Sequence, residues 1–174
     1  MKRLPAYVLP LAFTALATIQ SSTYAAVDMF LKVADIQGES VDKTHANEID
    51  VLAWSWQLSQ SKDPANPIVR PLLITKFIDS ASPPLYDLLL TGTLAKDAIL
   101  TVRKAGGTPL EYLIITMTDV TVSTVSNGAS GGEDRLTENI SLNFSSACMK
   151  YTPQGADGAG LTPIETCWTY GSNP

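Results

Sequence analysis

The stretch from Asp97 to Val125, "DAILTVRKAGGTPLEYLIITMTDVTVSTV", constrains this chain more than any other. It is rich in β-branched residues, and "AGGT" (Ala105–Thr108) interrupts it near the middle. A Gly-rich break between two such runs reads as a hairpin of two long strands. A long two-stranded ribbon cannot bury its own apolar face, so the rest of the chain has to supply further strands.

The other segments do so. "VDMFLKVADI" (Val27–Ile36) alternates apolar and polar residues, as a half-buried strand does. "GESVDKTHAN" is a polar, turn-rich loop. In "EIDVLAWSWQLSQ" (Glu48–Gln60), Ile49, Val51, Ala53, Ser55 and Gln57 fall on one strand face. Asp50, Leu52, Trp54, Trp56 and Leu58 fall on the other, which is therefore the expected core or interface face. "IVRPLLITKFID" reads as a strand whose start Pro71 places near an edge or a bulge. "SPPLYDLLLTG" is the one helix, with Ser82 as its cap, Pro83 at its first position and Gly92 at its end. "LTENISLNFSSACMKYTP" reads as one more long strand and "TPIETCWTY" as a short last one. About seven strands and a helix make an antiparallel barrel or sandwich with the helix packed against it.

The first 25 residues stand apart. Lys2 and Arg3 precede the apolar run "AYVLPLAFTALATI", and "SSTYA" offers small residues before a cleavage point between Ala25 and Ala26. The run is shorter than the roughly 20 residues of a membrane span and contains Pro10, so a signal peptide is the better reading than an anchor. A start at Met29 is the minor alternative. Residues 26–174 then form one domain with no membrane span.

Losing Lys2 and Arg3 leaves 10 basic against 17 acidic side chains, a net charge of −7. Such a chain repels nucleic acid and anionic lipid. Two cysteines behind a signal peptide, Cys148 and Cys167, suggest a disulfide. Zinc usually takes four ligands, which one distant histidine does not complete, so no metal or other cofactor is expected.

The order of "DMFLK", "GES", "KTHANEIDVLAWSW", "TKFIDSASP", "RKAGG", "EYLIIT", "GGEDRLTENISLNF" and "YTPQ" carries a resemblance from Val27 to Gln154. The chain resembles the haemolysin-coregulated protein (Hcp) family, the tube protein of type VI secretion. The resemblance implies a β-barrel of two sheets with one helix at its side. It further implies stacked hexameric rings that leave the cell and carry effector proteins, with other secretion components as partners. The segment "SKDPANPIVRP" lacks a longer glycine-rich loop common in the family, and residues 156–174 lie outside the matching motifs.

Against that background, "HANEIDVLAWSW" reads as a loop entering a strand. An enzyme would need His45 as base, Glu48 or Asp50 to orient it, and a nucleophile such as Ser40 or Ser55. Neither serine lies in a nucleophile elbow, and the family has no known catalytic residues, so no enzyme activity is expected. Asp42, Lys43 and His45 become candidates for stacking contacts between rings. Glu133, Asp134, Arg135 and Glu138 become candidates for contacts within a ring, because Gly131 and Gly132 allow unusual backbone angles and Arg135 has carboxylates on both sides. The alternative is an Hcp-like protein exported by the general secretory route. It would act as a periplasmic or extracellular binding module.

Overall fold

The long hairpin is present, and its second strand organises everything else. The computed structural model describes residues 27–62, 67–105, 109–129, 131–132 and 134–169. The strands are β1 (Val27–Val33), β2 (Ile49–Ser55), β3 (Leu58–Ser59), β4 (Ile68–Val69), β5 (Leu72–Phe77), β6 (Ala95–Lys104), β7 (Leu110–Gly128), β8 (Thr137–Asn143), β9 (Ser146–Tyr151) and β10 (Ile164–Thr169). One helix, α1 (Ser82–Thr91), lies between β5 and β6. The leader, its Ala25–Ala26 cleavage point, the centre of the "AGGT" turn and Glu133 lie outside the described residues.

Six strands close into a barrel in the order β1-β2-β5-β8-β7-β6, each antiparallel to its neighbours, with β6 returning to β1. The 19-residue β7 makes closure possible. One edge of β7 pairs with β6, while its other edge takes β9 along Leu113–Thr118 and β8 along Thr121–Gly128. β9 and then β10 extend the sheet beyond the barrel, and β3 and β4 form a separate small ribbon. The expected mainly-β barrel with one short helix is therefore what the chain folds into.

The count of seven strands was too low, because three of the expected strands are broken, the first of them "EIDVLAWSWQLSQ" into β2 and β3. "LTENISLNFSSACMKYTP" divides at Phe144–Ser145 into β8 and β9, opposite a kink in β7 where Asp119 takes a positive φ of 50°. Inward-facing residues change parity there: Ile115 and Met117 are buried before the kink, Val120 and Val122 after it. Pro71 likewise interrupts its segment between β4 and β5. It lacks the N–H that a ladder position would use.

The facing of β2 needs correction. Ile49 and Val51 are buried, whereas Leu52 is 41% exposed. A bulge between Val51 and Ala53 then shifts the phase, so that Trp54 and Trp56 pack partly against the core. Strict alternation through the whole segment misses this, since one extra residue flips every later side chain.

The core is a single apolar cluster that includes Leu31, Val33, Leu72, Leu100, Met117, Ile140 and Leu142. Helix α1 adds the fully buried Leu85 to it. Gly92 ends the helix in a left-handed conformation, as expected. Ala81 occupies the cap position without a side-chain bond, and the Ser82 hydroxyl is used elsewhere. Among the described residues no helix is long and apolar enough to cross a membrane.

Candidate functional site

Two clusters of polar side chains stand out, one inside the barrel and one on its outer wall. The inner one begins with parity. Lys76 shares a strand face with the buried Leu72 and Ile74, and Glu138 shares one with Ile140 and Leu142. The two residues are direct partners in the β5–β8 register. Their side chains are fully buried and meet at 2.8 Å.

Around them every polar group is matched. Lys76 Nζ also donates to Asp79 Oδ1 at 2.6 Å, to the Phe77 carbonyl at 2.8 Å and to Ser82 Oγ at 3.1 Å. Ser82 Oγ donates to Glu138 Oε1, and Tyr86 Oη donates to Glu138 Oε2, both at 2.6 Å. Asn127 Nδ2 donates in turn to Tyr86 Oη at 2.8 Å. Burial opposes ionisation of Glu138, but hydrogen bonds from Lys76, Ser82 and Tyr86 outweigh it and hold the carboxyl below its ordinary range. Burial and the adjacent Glu138 push the Tyr86 hydroxyl upward. Through Ser82 and Tyr86 this network docks α1 onto β8.

The outer cluster fixes the loop Gly38–Glu48 against β1, β6 and β7. The loop closes on itself through Gly38 N–H to the Asn47 carbonyl (2.8 Å) and Ser40 N–H to the Glu48 carbonyl (2.9 Å). Gly38 cannot carry a side chain there: a Cβ would lie 2.4 Å from the Glu48 carbonyl oxygen. Arg103, on the outward face of β6, donates to both Asp42 oxygens at 3.0 and 2.5 Å and to Asp28 at 3.0 Å. Asp42 also accepts the backbone N–H groups of Thr44 and His45. The Arg103 bonds first, and then these N–H groups, hold Asp42 far below the usual carboxylate range. Asp42 in turn holds Arg103 above its ordinary value.

His45 completes the arrangement. Its ring stacks on that of Phe30 with centres 4.2 Å apart, and the Arg103 guanidinium lies 4.9 Å from the centre of the Phe30 ring. Nδ1 faces Glu48 at 2.9 Å and Nε2 faces Glu111 at 3.2 Å. His45 is only 8% exposed, so it is an internal clamp for the loop and its ring is not presented to a partner. Both of its nitrogens are engaged by carboxylates. The Ser40 hydroxyl faces the Asp42 N–H. Ser55 is exposed on β2.

The remaining candidates divide. Lys43 is exposed at the loop tip, beside Val41, an apolar residue that is 98% exposed. Asp134 and Arg135 are exposed beside the Gly131–Gly132 turn, and the Arg135 guanidinium lies 4.0 Å from the centre of the Phe77 ring. Glu138, expected at a subunit surface, instead points into the barrel. Its alternation with Ile140 and Leu142 was the available signal. Cys148 and Cys167 are bonded at 2.05 Å and tie β10 to β9. Sequence reasoning missed Arg103, Phe30 and Glu111, which lie on separate strands and converge only when β1, β6 and β7 are side by side.

Comparison with known proteins gives a consistent result. The family model described as "Type VI secretion system effector, Hcp" matches residues 30–151. Protein hcp1 of Pseudomonas aeruginosa is 50% identical over 158 residues, covering 85% of this chain and 98% of the relative. The crystal structure of Hcp1 from Salmonella typhimurium matches with a TM-score of 0.74 and 38% identity, over 86% of this chain and 98% of its own. A type VI secretion system effector from Yersinia pestis matches with a TM-score of 0.71 and 36% identity, over 82% and 99% respectively.

Proposed function

Because the chain belongs to the Hcp family of type VI secretion proteins, we propose that it is a structural, non-catalytic subunit of a secreted tube. Six copies close into a ring, rings stack, and the lumen carries effector proteins. The observation that supports this reading best is the stapled Gly38–Glu48 loop, which holds an exposed apolar tip in a fixed position. A side chain like Val41, exposed on a rigid support, has little ordering entropy left to lose when a partner covers it. Val41 and Lys43 are therefore the stacking contacts, while Asp42 and His45 hold the loop that presents them. The Gly131–Arg135 turn, Glu133 included, contacts the neighbour within a ring.

Light scattering and electron microscopy of Val41→Asp and Lys43→Glu variants test this. Stacks are lost and single rings remain, whereas charge reversal at Glu133 and Arg135 weakens the rings themselves. Loss of rings in the loop variants, with the fold intact, would contradict the assignment. The net charge makes assembly salt-dependent, with rings strengthening as salt screens repulsion.

A second reading draws on the Cys148–Cys167 bond. Disulfides persist in oxidising compartments, which suits a chain exported alone through a cleaved leader and acting outside the cytoplasm as a binding module. Intact-mass analysis of fractionated cells separates the two. A chain lacking residues 1–25 in the periplasm supports the second, and a full-length cytoplasmic chain with two free thiols supports the tube.

A further inference from the structure

Strand β10 is held to the molecule in a different way from the barrel strands. It pairs with β9 from Ile164↔Tyr151 to Thr169↔Ser146, and among the described residues its other edge has no partner strand. Five of its six residues are exposed. Trp168 is the half-buried one, its ring edge-on to Trp56 at 6.3 Å. Among the described residues, the ladder, this ring contact and the Cys148–Cys167 bond are what secure it.

The bond joins directly opposed residues in that register, with Cα atoms 4.0 Å apart. Cys167 is exposed and Cys148 half-buried, so a soluble thiolate reaches one sulfur from solvent. Exposed disulfides are the ones that exchange under cellular redox conditions, while buried ones are inert. A carboxylate oxygen of Glu165 lies within 4.8 Å of both sulfurs. Its negative charge disfavours a pair of thiolates beside it and thus supports reclosure. A protein of a secreted family also meets both a reducing interior and an oxidising exterior.

We propose that Cys148 and Cys167 form a redox latch that fixes β10 when oxidised and lets it detach from β9 when reduced. A glutathione-type thiolate attacks Cys167 Sγ, the Sγ–Sγ bond breaks, and Cys148 leaves as a thiolate that takes a proton from water. A second thiolate attacks the small-molecule sulfur of the mixed disulfide. It releases Cys167 and a low-molecular-weight disulfide, so the two electrons gained by the protein come from two thiols. The reverse sequence, driven by the low-molecular-weight disulfide, closes the latch. The open state leaves the outer N–H and C=O groups of β9, Ser146–Tyr151, without their strand. The inference stands whether or not the chain forms rings.

Hydrogen exchange on the full chain, with a chelator present to exclude thiol-bound metal, provides the test. Millimolar reduced glutathione should open the bond without denaturant. Amides of β10 and the outward amides of β9 should then exchange about 100-fold faster, while the β9 amides bonded to β7 and those of β1 and β6 stay unchanged. Glutathione disulfide should restore slow exchange. The Cys148→Ser/Cys167→Ser variant should show the fast pattern with no reductant. A bond that resists glutathione until the protein is denatured would overturn the proposal. So would unchanged exchange at β10 after reduction, or an equal acceleration throughout the barrel.

Discussion

Lys76 and Glu138 meet inside the barrel, on strands that are paired anyway; Arg103 and Asp42 meet outside it, between a strand and a loop. Both are close ion pairs with several added hydrogen bonds. The inner pair has lost all its water, so its worth lies in being complete: each partner is costly only when the other is missing. The outer pair keeps some solvent and links Asp42 to β6, while the same guanidinium reaches Asp28 on β1. The first pair, through Ser82 and Tyr86, docks the helix on strands that are already joined by their ladder. The second fixes a surface feature on a barrel that is already formed.

Breaking the inner pair should have the largest effect. Lys76→Met leaves a buried carboxylate facing only hydroxyls and should cost about 3–5 kcal/mol. Adding Glu138→Leu to it should recover part of that loss, as measured by denaturant unfolding of the single and double variants. If the double variant is as unstable as the sum of the singles, the pair is not coupled as described. Next comes Gly38→Ala, whose methyl group would collide with the Glu48 backbone and should cost about 2 kcal/mol. Its damage should concentrate in the loop, seen as loss of amide protection between residues 38 and 48. Arg103→Lys should do less, since lysine cannot reproduce the forked contact with Asp42. The barrel should unfold at nearly the same denaturant concentration while loop amides exchange faster.

Acid sharpens the comparison. Both Glu138 and Asp42 have carboxyl groups held below their ordinary values, from which folding stability gains above the unfolded pKa. The gain is complete above about pH 5 and is lost as pH falls through the lower folded values. Asp42→Asn should remove only the loop's share of this acid sensitivity and leave the cooperative acid unfolding that comes from Glu138. An acid limb abolished by Asp42→Asn would assign the core pair no part in it.

Much of this was legible in the residues. The long hairpin, the single helix and its Gly92 stop, and the cysteine pair all follow from local pattern. The two places where alternation failed, Leu52 and Asp119, are a bulge and a kink, and neither leaves a reliable mark in a periodic pattern. Lys76 and Glu138 could have been read as inward from parity with Ile74 and Ile140, but a lysine and a glutamate suggest surface unless both are considered together. The outer cluster was less accessible, because Asp28, Asp42, Arg103 and Glu111 are far apart in the chain and only the β1–β6–β7 pairing brings them to one loop.

We propose that this barrel is a tube subunit whose loop meets another copy. The molar mass of the purified, folded protein in solution, measured by light scattering at moderate salt, tests it most directly. A tube subunit should give a particle of about six chains that persists in Val41→Asp and dissociates on charge reversal at Glu133 and Arg135. A protein that stays at the mass of one chain at high concentration and moderate salt would contradict it.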